Sequence, residues 1–298
     1  MSHPNPPNPA SLFFAAGASQ RLLRALMRAA QALGPGLASR LAFALFSTPM
    51  PFKKTVSPQV AAPWVAEPWE LMGLRLCSWR HREHEAAAAS RPRVLLVHGW
   101  AGSAQQMRPL AERLWAQGFA PILLDMPAHG HSQGWQTHMP QFVQALHAAA
   151  QRFGPLHGIV AHSLGAVAVS HAVARGLPTA RLALIACSAP PRQVLGWFAQ
   201  SFGLGRKSMT QIQQRLERLG ATTLETFEPA WLGPRLPQAT LLVHDEQDRA
   251  APFAHAQAFA AALPDARLLA VQGLGHRRIL GDAAVAQAVA AHLRGEGF

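Results

Sequence analysis

From Trp69 onward the chain alternates short, largely apolar runs with longer stretches of helical periodicity, and this alternation constrains the fold more than any other feature. A strand that feeds a crossover helix and then a further strand builds a mostly parallel sheet covered on both faces. Strands are expected at about residues 70–82, as a hairpin or bent pair, then at 94–98, 120–124, 157–162, 181–187, 239–244 and 267–271. Helices are expected between them, at about 103–117, 137–153, 164–175, 252–263 and 282–294.

One interval, 190–237, breaks the rhythm: it has no strand pattern, yet it holds Trp197, Phe198, Phe202, Trp231 and many aliphatic residues. A connection this long carries structure of its own in a compact domain, so it reads as a small helical cap over the sheet.

The leading 66 residues form a different, basic segment. No Asp or Glu precedes Glu67, whereas Arg21, Arg24, Arg28, Arg40, Lys53 and Lys54 all do. After a proline-rich start, residues 11–33 are helical in pattern, with Leu22, Leu23, Leu26, Met27, Ala30 and Leu33 recurring at three- and four-residue spacing. Gly34, Pro35 and Gly36 end that helix, residues 37–46 predict a second, and residues 49–68 read as a proline-rich linker. No apolar run reaches the roughly 18 residues that a spanning helix needs. Two readings stay open: the helices pack their apolar side on the rest of the chain, or they make peripheral contact with an anionic membrane surface.

The net charge of +12 would also suit nucleic acid, but no recognised binding motif accompanies it, so no nucleic-acid partner is expected. Cys77 and Cys187 lie in apolar, strand-like stretches without zinc-ligand spacing. They read as buried free thiols, which suits a reducing, cytoplasmic compartment. Hydrophobic residues at 49% against 14% charged supply a large core and argue against general disorder.

The string Ile159-Val160-Ala161-His162-Ser163-Leu164-Gly165-Ala166 runs from a strand into a small-residue helix. A serine there sits on a sharp turn with its hydroxyl clear of the sheet and a helix N-terminus beneath it. Residues two before and two after must be small, because strand and helix pass close together; Ala161 stands where glycine is usual. An ordinary helix N-cap would explain Ser163 alone, though not the motifs around it.

With those motifs the chain resembles the α/β-hydrolase superfamily over about residues 69–298. His98-Gly99-Trp100-Ala101-Gly102 is similar to the family's oxyanion loop, and Asp125 through Ser132 to its Asp-x-x-Gly-x-Gly-x-Ser loop, with Ala128 at the first glycine. Asp245-Glu246-Gln247-Asp248-Arg249-Ala250-Ala251-Pro252 resembles the acid loop, and Gly273-Leu274-Gly275-His276 the histidine loop. The resemblance implies a three-layer α/β-hydrolase fold, mostly parallel, with helices on both faces, a catalytic domain at 67–298 and a small helical cap at about 190–237. It implies Ser163 as nucleophile, His276 as general base and Asp248 as orienting acid, in the chain order this fold uses. Asp245 or Glu246 could also reach the histidine; Pro252 sets the register in favour of Asp248. The backbone amides of Trp100 and Leu164 would form the oxyanion hole.

Such a set implies a serine hydrolase that cleaves a carboxylic ester, or a related thioester or amide, through a covalent acyl-enzyme. Acyl transfer and cofactor-free perhydrolysis use the same triad, and a non-catalytic binding or membrane-surface module on this fold is the reading from another class. No cofactor is expected, and His129 and His131 lack the further ligands that a metal site would need. The substrate is expected to be a small molecule with a hydrophobic acyl or alcohol group, bound by Trp100, Trp197, Phe198, Phe202 and Trp231.

Overall fold

In the computed structural model, which describes residues 18–49, 62–88 and 90–296, eight strands form one sheet. They are β1 (Trp64–Leu71), β2 (Leu74–His81), β3 (Arg93–Val97), β4 (Ala120–Asp125), β5 (Gly158–His162), β6 (Arg181–Ile185), β7 (Ala239–Asp245) and β8 (Ala266–Val271). Their order is β1-β2-β4-β3-β5-β6-β7-β8. The pairs β1–β2 and β2–β4 are antiparallel, and every other pair is parallel.

The short parallel strands are apolar on both sides because both faces of the sheet are covered. Alternate residues serve opposite cores, as the period of two requires. Leu95 and Val97 join one core with α5 (Met139–Phe153), α6 (Leu164–Ala174) and α10 (Phe253–Ala262). Val94 and Leu96 join the other with α4 (Ala104–Ala116) and α12 (Ala283–Arg294). A short α3 (His84–Ala88) follows β2, and α11 (Gly275–Arg278) follows β8.

The expected pair at 70–82 is a longer hairpin. Leu71 faces Leu74 across a two-residue turn in which Met72 and Gly73 both have positive φ, 50° and 76°. Such a turn matches the twist of the strands it joins. β1 begins at Trp64, inside the stretch expected to be linker, and the Trp64 ring is buried. Pro68 is tolerated there because β1 is an edge strand. The proline-rich start, residues 11–17 of the first expected helix, and most of the expected linker lie outside the described residues.

Residues 190–237 fold as α7 (Pro191–Phe202), α8 (Arg206–Gly220), α9 (Pro229–Leu232) and two short 3-10 turns, with no strand. Onto α7 and α8 pack the two leading helices, α1 (Ala18–Leu33) and α2 (Pro35–Phe46). Met27, Ala42 and Phe43 meet Leu195, Phe198, Phe202 and Ile212 in a third core. Gln31 pins the contact: its Nε2 donates to Gly203 O at 3.0 Å, and its Oε1 accepts from Gly205 N at 2.6 Å. The apolar arc of α1 is wider than this contact, so Leu23, Met27 and Ala30 turn inward while Leu22, Leu26 and Leu33 stay exposed. None of the described helices is long and apolar enough to cross a membrane. Cys77 and Cys187 are buried free thiols.

Candidate active site

β4 lies on one side of β3 and β5 on the other, so the winding reverses there and opens a crevice at the carboxyl ends of the strands. Ser163 follows β5 at that edge, with φ 54° and ψ −124°. A non-glycine residue held in this region stores about 1–3 kcal/mol of strain. Close packing maintains it. A Cβ on Gly165 would lie 2.4 Å from His98 O, and one on Gly99 would lie 2.7 Å from Ser163 Cβ, so neither position admits a side chain. The fully buried Ala161 methyl is accommodated where glycine is usual.

His276 reaches Ser163 from the loop after β8. Its Nε2 lies 3.0 Å from Ser163 Oγ, and its Nδ1 lies 2.7 Å from Asp248 Oδ2. Asp248, after β7, is buried, and its Oδ1 accepts from Ala250 N at 2.8 Å and Ala251 N at 3.0 Å. Burial works to raise the Asp248 carboxyl, but the hydrogen bond and charge of His276, with the two amides, outweigh it and hold the group below the usual range. A lasting carboxylate keeps the proton on His276 Nδ1 and leaves Nε2 free to accept from Ser163.

Two neighbours fix the histidine loop. Asp245 Oδ2 accepts from Leu274 N at 2.5 Å and Gly275 N at 2.8 Å, while its Oδ1 accepts from Gln247 N at 2.7 Å. Asp245 therefore braces the loop and leaves the contact with the imidazole to Asp248. The His162 Nε2–H donates to the His276 carbonyl at 2.7 Å. Burial, with the nearby His276, pushes the His162 pKa down to about 3, so this ring is neutral at ordinary pH. Glu246 takes a different partner, accepting from Gln272 Nε2 at 2.7 Å.

The loop after β3 is held from both sides. His98 Nδ1–H donates to Gly99 O at 2.7 Å, and its Nε2 accepts from Met126 N at 3.1 Å. His129 Nε2 accepts from the amide of Ala101 at 3.0 Å, where φ is 54°. The Trp100 amide has no backbone acceptor among the described residues. The Leu164 amide opens α6, where a helix offers no internal acceptor. Asp125 organises the base of this region, accepting from Ala104 N at 2.7 Å, Trp79 Nε1 at 2.9 Å and His131 N at 3.0 Å. A Cβ on Gly130 would collide with that carboxylate, and Ala128, at the first glycine of the motif, takes φ 64°. His129 and His131 thus serve the loops, and no group of three potential metal ligands occurs among the described residues.

A pocket opens at Ser163, enclosing about 830 Å³ of empty space with its mouth included. Trp100 lines it; Met139, Val194, Leu216, Leu224 and Phe227 supply apolar wall, and Phe46 reaches in from the end of α2. The four cap aromatics expected here do not line it. Phe198 and Phe202 are fully buried in the core shared with α1 and α2; Phe198 stands one layer behind Phe46, with ring centroids 5.1 Å apart. Trp197 packs edge-on against His255, and Trp231 stacks on His171 under the guanidinium of Arg235. The expectation placed these four aromatics at the substrate, whereas α7 turns Phe198 and Phe202 onto the leading helices, and Trp197 and Trp231 pack against His255 and His171.

Residues 88–219 match the family model described as serine aminopeptidase, S33, and residues 225–296 match that described as TAP-like protein. A pimeloyl-[acyl-carrier protein] methyl ester esterase of Stenotrophomonas maltophilia is 32% identical, over 64% of this chain and 88% of the relative. Among solved structures, an esterase of Pyrococcus furiosus superposes with a TM-score of 0.60 at 16% identity, covering 82% of this chain and 98% of that one. A bacterial membrane phospholipase A gives 0.59 at 16% identity, covering 96% of this chain and 94% of that one. Fold, strand-end loops and relatives agree: the chain belongs to the α/β-hydrolase superfamily and is a hydrolase.

Proposed function

We propose that this hydrolase cleaves a carboxylic ester with an apolar acyl or alcohol group, using Ser163, His276 and Asp248 and passing through a covalent acyl-enzyme. The observation that carries the reading is the connected series Ser163 Oγ, His276, Asp248, with contacts of 3.0 and 2.7 Å, at the mouth of an apolar pocket. Ser163 Oγ attacks the carbonyl carbon while its proton passes to His276 Nε2. The oxyanion accepts from the amides of Trp100 and Leu164, each such donor lowering the barrier by about 3 kcal/mol. Collapse expels the alcohol, which takes the proton from His276, and water repeats the sequence to release the acid. The methyl ester esterase relatives support an ester over an amide. The apolar walls favour a hydrophobic group, since each buried methylene contributes about 0.8 kcal/mol.

A fluorophosphonate probe tests the nucleophile: labelling of the native chain that vanishes in Ser163→Ala is the expected result. Hydrolysis of a series of esters with graded acyl length measures the substrate class. Undiminished turnover in Ser163→Ala would overturn the mechanism.

A further inference from the structure

Nine large apolar side chains stand exposed among the described residues, and six of them, Leu22, Leu26, Leu33, Leu37, Leu41 and Leu219, lie on α1, α2 and α8. On α1, Leu22, Leu26 and Leu33 fall on one stripe by their helical spacing, while Met27 and Ala30 turn another arc onto the cap. Leu33 is 79% exposed and Leu22 62%, far beyond the margin of a buried face. The same helices carry Arg21, Arg24, Arg28, Arg40, Arg215 and Arg218, and none of these has a carboxylate within ion-pair distance among the described residues. Arg215 instead covers the Phe43 ring at 4.0 Å, and Arg218 Nε donates to Gln214 O of its own helix. An open groove holding Ser39, Arg40, Gln211, Arg215, Arg218 and Leu219 separates α2 from α8, and no acidic side chain lines it.

We propose that the outer side of α1 and α2, with the adjoining side of α8, docks on an anionic phospholipid surface. By helical spacing the α1 arginines lie on the far flank of the exposed side from the leucines, with Ala25, Ala29 and Ala32 between them, and a helix with one apolar and one basic flank can lie in the plane of a bilayer interface. The leucines enter the boundary between headgroups and acyl chains, and the guanidinium groups meet lipid phosphates in paired hydrogen bonds. Charge complementarity extends along the sequence, because no acidic residue precedes Glu67. The arginines alone would suit any acidic macromolecule. The leucines add a demand for an apolar layer beneath the anionic one, which a lipid leaflet supplies along the whole of α1. The inward face of α1 is already occupied by the cap, so docking needs no unpacking of the helical pair, and the inference stands apart from the reaction at Ser163.

Sedimentation of the full chain with vesicles tests this, comparing phosphatidylglycerol in phosphatidylcholine with phosphatidylcholine alone. The chain is expected to pellet with the anionic vesicles at low salt and to remain in solution with the neutral ones. Replacing Arg21, Arg28 and Arg40 by glutamine should weaken partition about fivefold per residue. The triple change Leu22→Gln, Leu26→Gln and Leu33→Gln leaves net charge unaltered and should weaken it at least about tenfold. Hydrolysis of a soluble short ester by these variants should stay at the native level, because none of the altered side chains lines the pocket, and this controls for folding. A native chain that stays in solution with anionic vesicles overturns the proposal, as does one that ignores vesicles but binds an acidic carrier protein. Full retention of vesicle binding by the leucine variant overturns it too, since charge alone would then explain the contact.

Discussion

Asp248→Asn and Asp245→Asn each replace one carboxylate oxygen by an NH2 group, and their contrast tests which carboxylate serves the histidine. Asp248 Oδ1 accepts from the amides of Ala250 and Ala251, so an asparagine there keeps its oxygen on those two donors and turns its NH2 toward His276 Nδ1. Nδ1 must then act as acceptor, and the imidazole proton moves to Nε2, facing Ser163. That tautomer cannot take the serine proton, and the loss of turnover at neutral pH should be about 10⁴-fold with little change in KM. Asp245 has donors on both oxygens: Gln247 N on one, Leu274 N and Gly275 N on the other. An asparagine satisfies one side and presents its NH2 to the other, forfeiting a hydrogen bond to a buried charge, about 1.5–3 kcal/mol of stability. The histidine keeps its tautomer, so kcat should fall far less. Steady-state kinetics with an activated ester, beside urea unfolding of each variant, measure both quantities. If Asp245→Asn loses turnover by 10⁴-fold while folded and Asp248→Asn retains it, the assignment of the acid fails.

Burial lowers the pKa of His84 and His171 to about 4 and that of His162 to about 3, so the unfolded chain binds protons at these sites before the folded one does. Their contribution to stability is fully present above about pH 6.5 and lost below it at up to about 1.4 kcal/mol per pH unit per histidine; unfolding free energy that stays level between pH 6.5 and 4.5 would refute this. Phe46→Ala or Leu224→Ala should change the ratio of kcat/KM between short and longer acyl esters, whereas Phe198→Ala should cost about 3–5 kcal/mol of stability and leave that ratio alone. Gly99→Ala should cut turnover sharply while Gly73→Ala spares it, because a Cβ at Gly99 strikes Ser163 and one at Gly73 meets nothing within 4 Å; equal turnover in the two variants would contradict the packing at the serine turn.

The residues of the proposed triad stand out in the sequence because local geometry restricts them. A serine at φ 54° between a strand and a helix needs small residues at fixed offsets, and Gly165 and Gly99 are excluded from carrying side chains by single close approaches. Asp125 is similar: one carboxylate gathers the amides of Ala104 and His131, so its loop repeats a recognisable spacing. The role of Asp245 was harder to read. It stands where a glycine is usual, and only the fold brings Leu274 and Gly275, 29 and 30 residues on, within reach of its carboxylate.

The pocket walls escaped for a different reason. An apolar residue in a helical segment has the same pattern whether it faces a cavity or a neighbouring helix, so Leu216 of α8 and Leu224 of the 3-10 turn after it carried no mark that separated them from Ile212. Size misled as well, because two of the cap's phenylalanine rings are drawn to the more completely enclosed apolar surface. Here that surface is supplied by Met27, Ala42 and Phe43 of the leading helices, which bury Phe198 and Phe202. Burying a phenylalanine contributes about 1.5–3 kcal/mol, more than a solvent-opened pocket wall can return, so the rings go to the helix contact. The wall near Ser163 then falls to smaller aliphatic side chains, to Trp100 and Phe227, and to Phe46, whose segment is tied by the hydrogen bonds Thr137 N to Ser47 O, at 2.8 Å, and Gln136 Nε2 to Ala44 O, at 3.2 Å. A segment that reads as an accessory to the rest of the chain thus decides which cap residues line the pocket at Ser163.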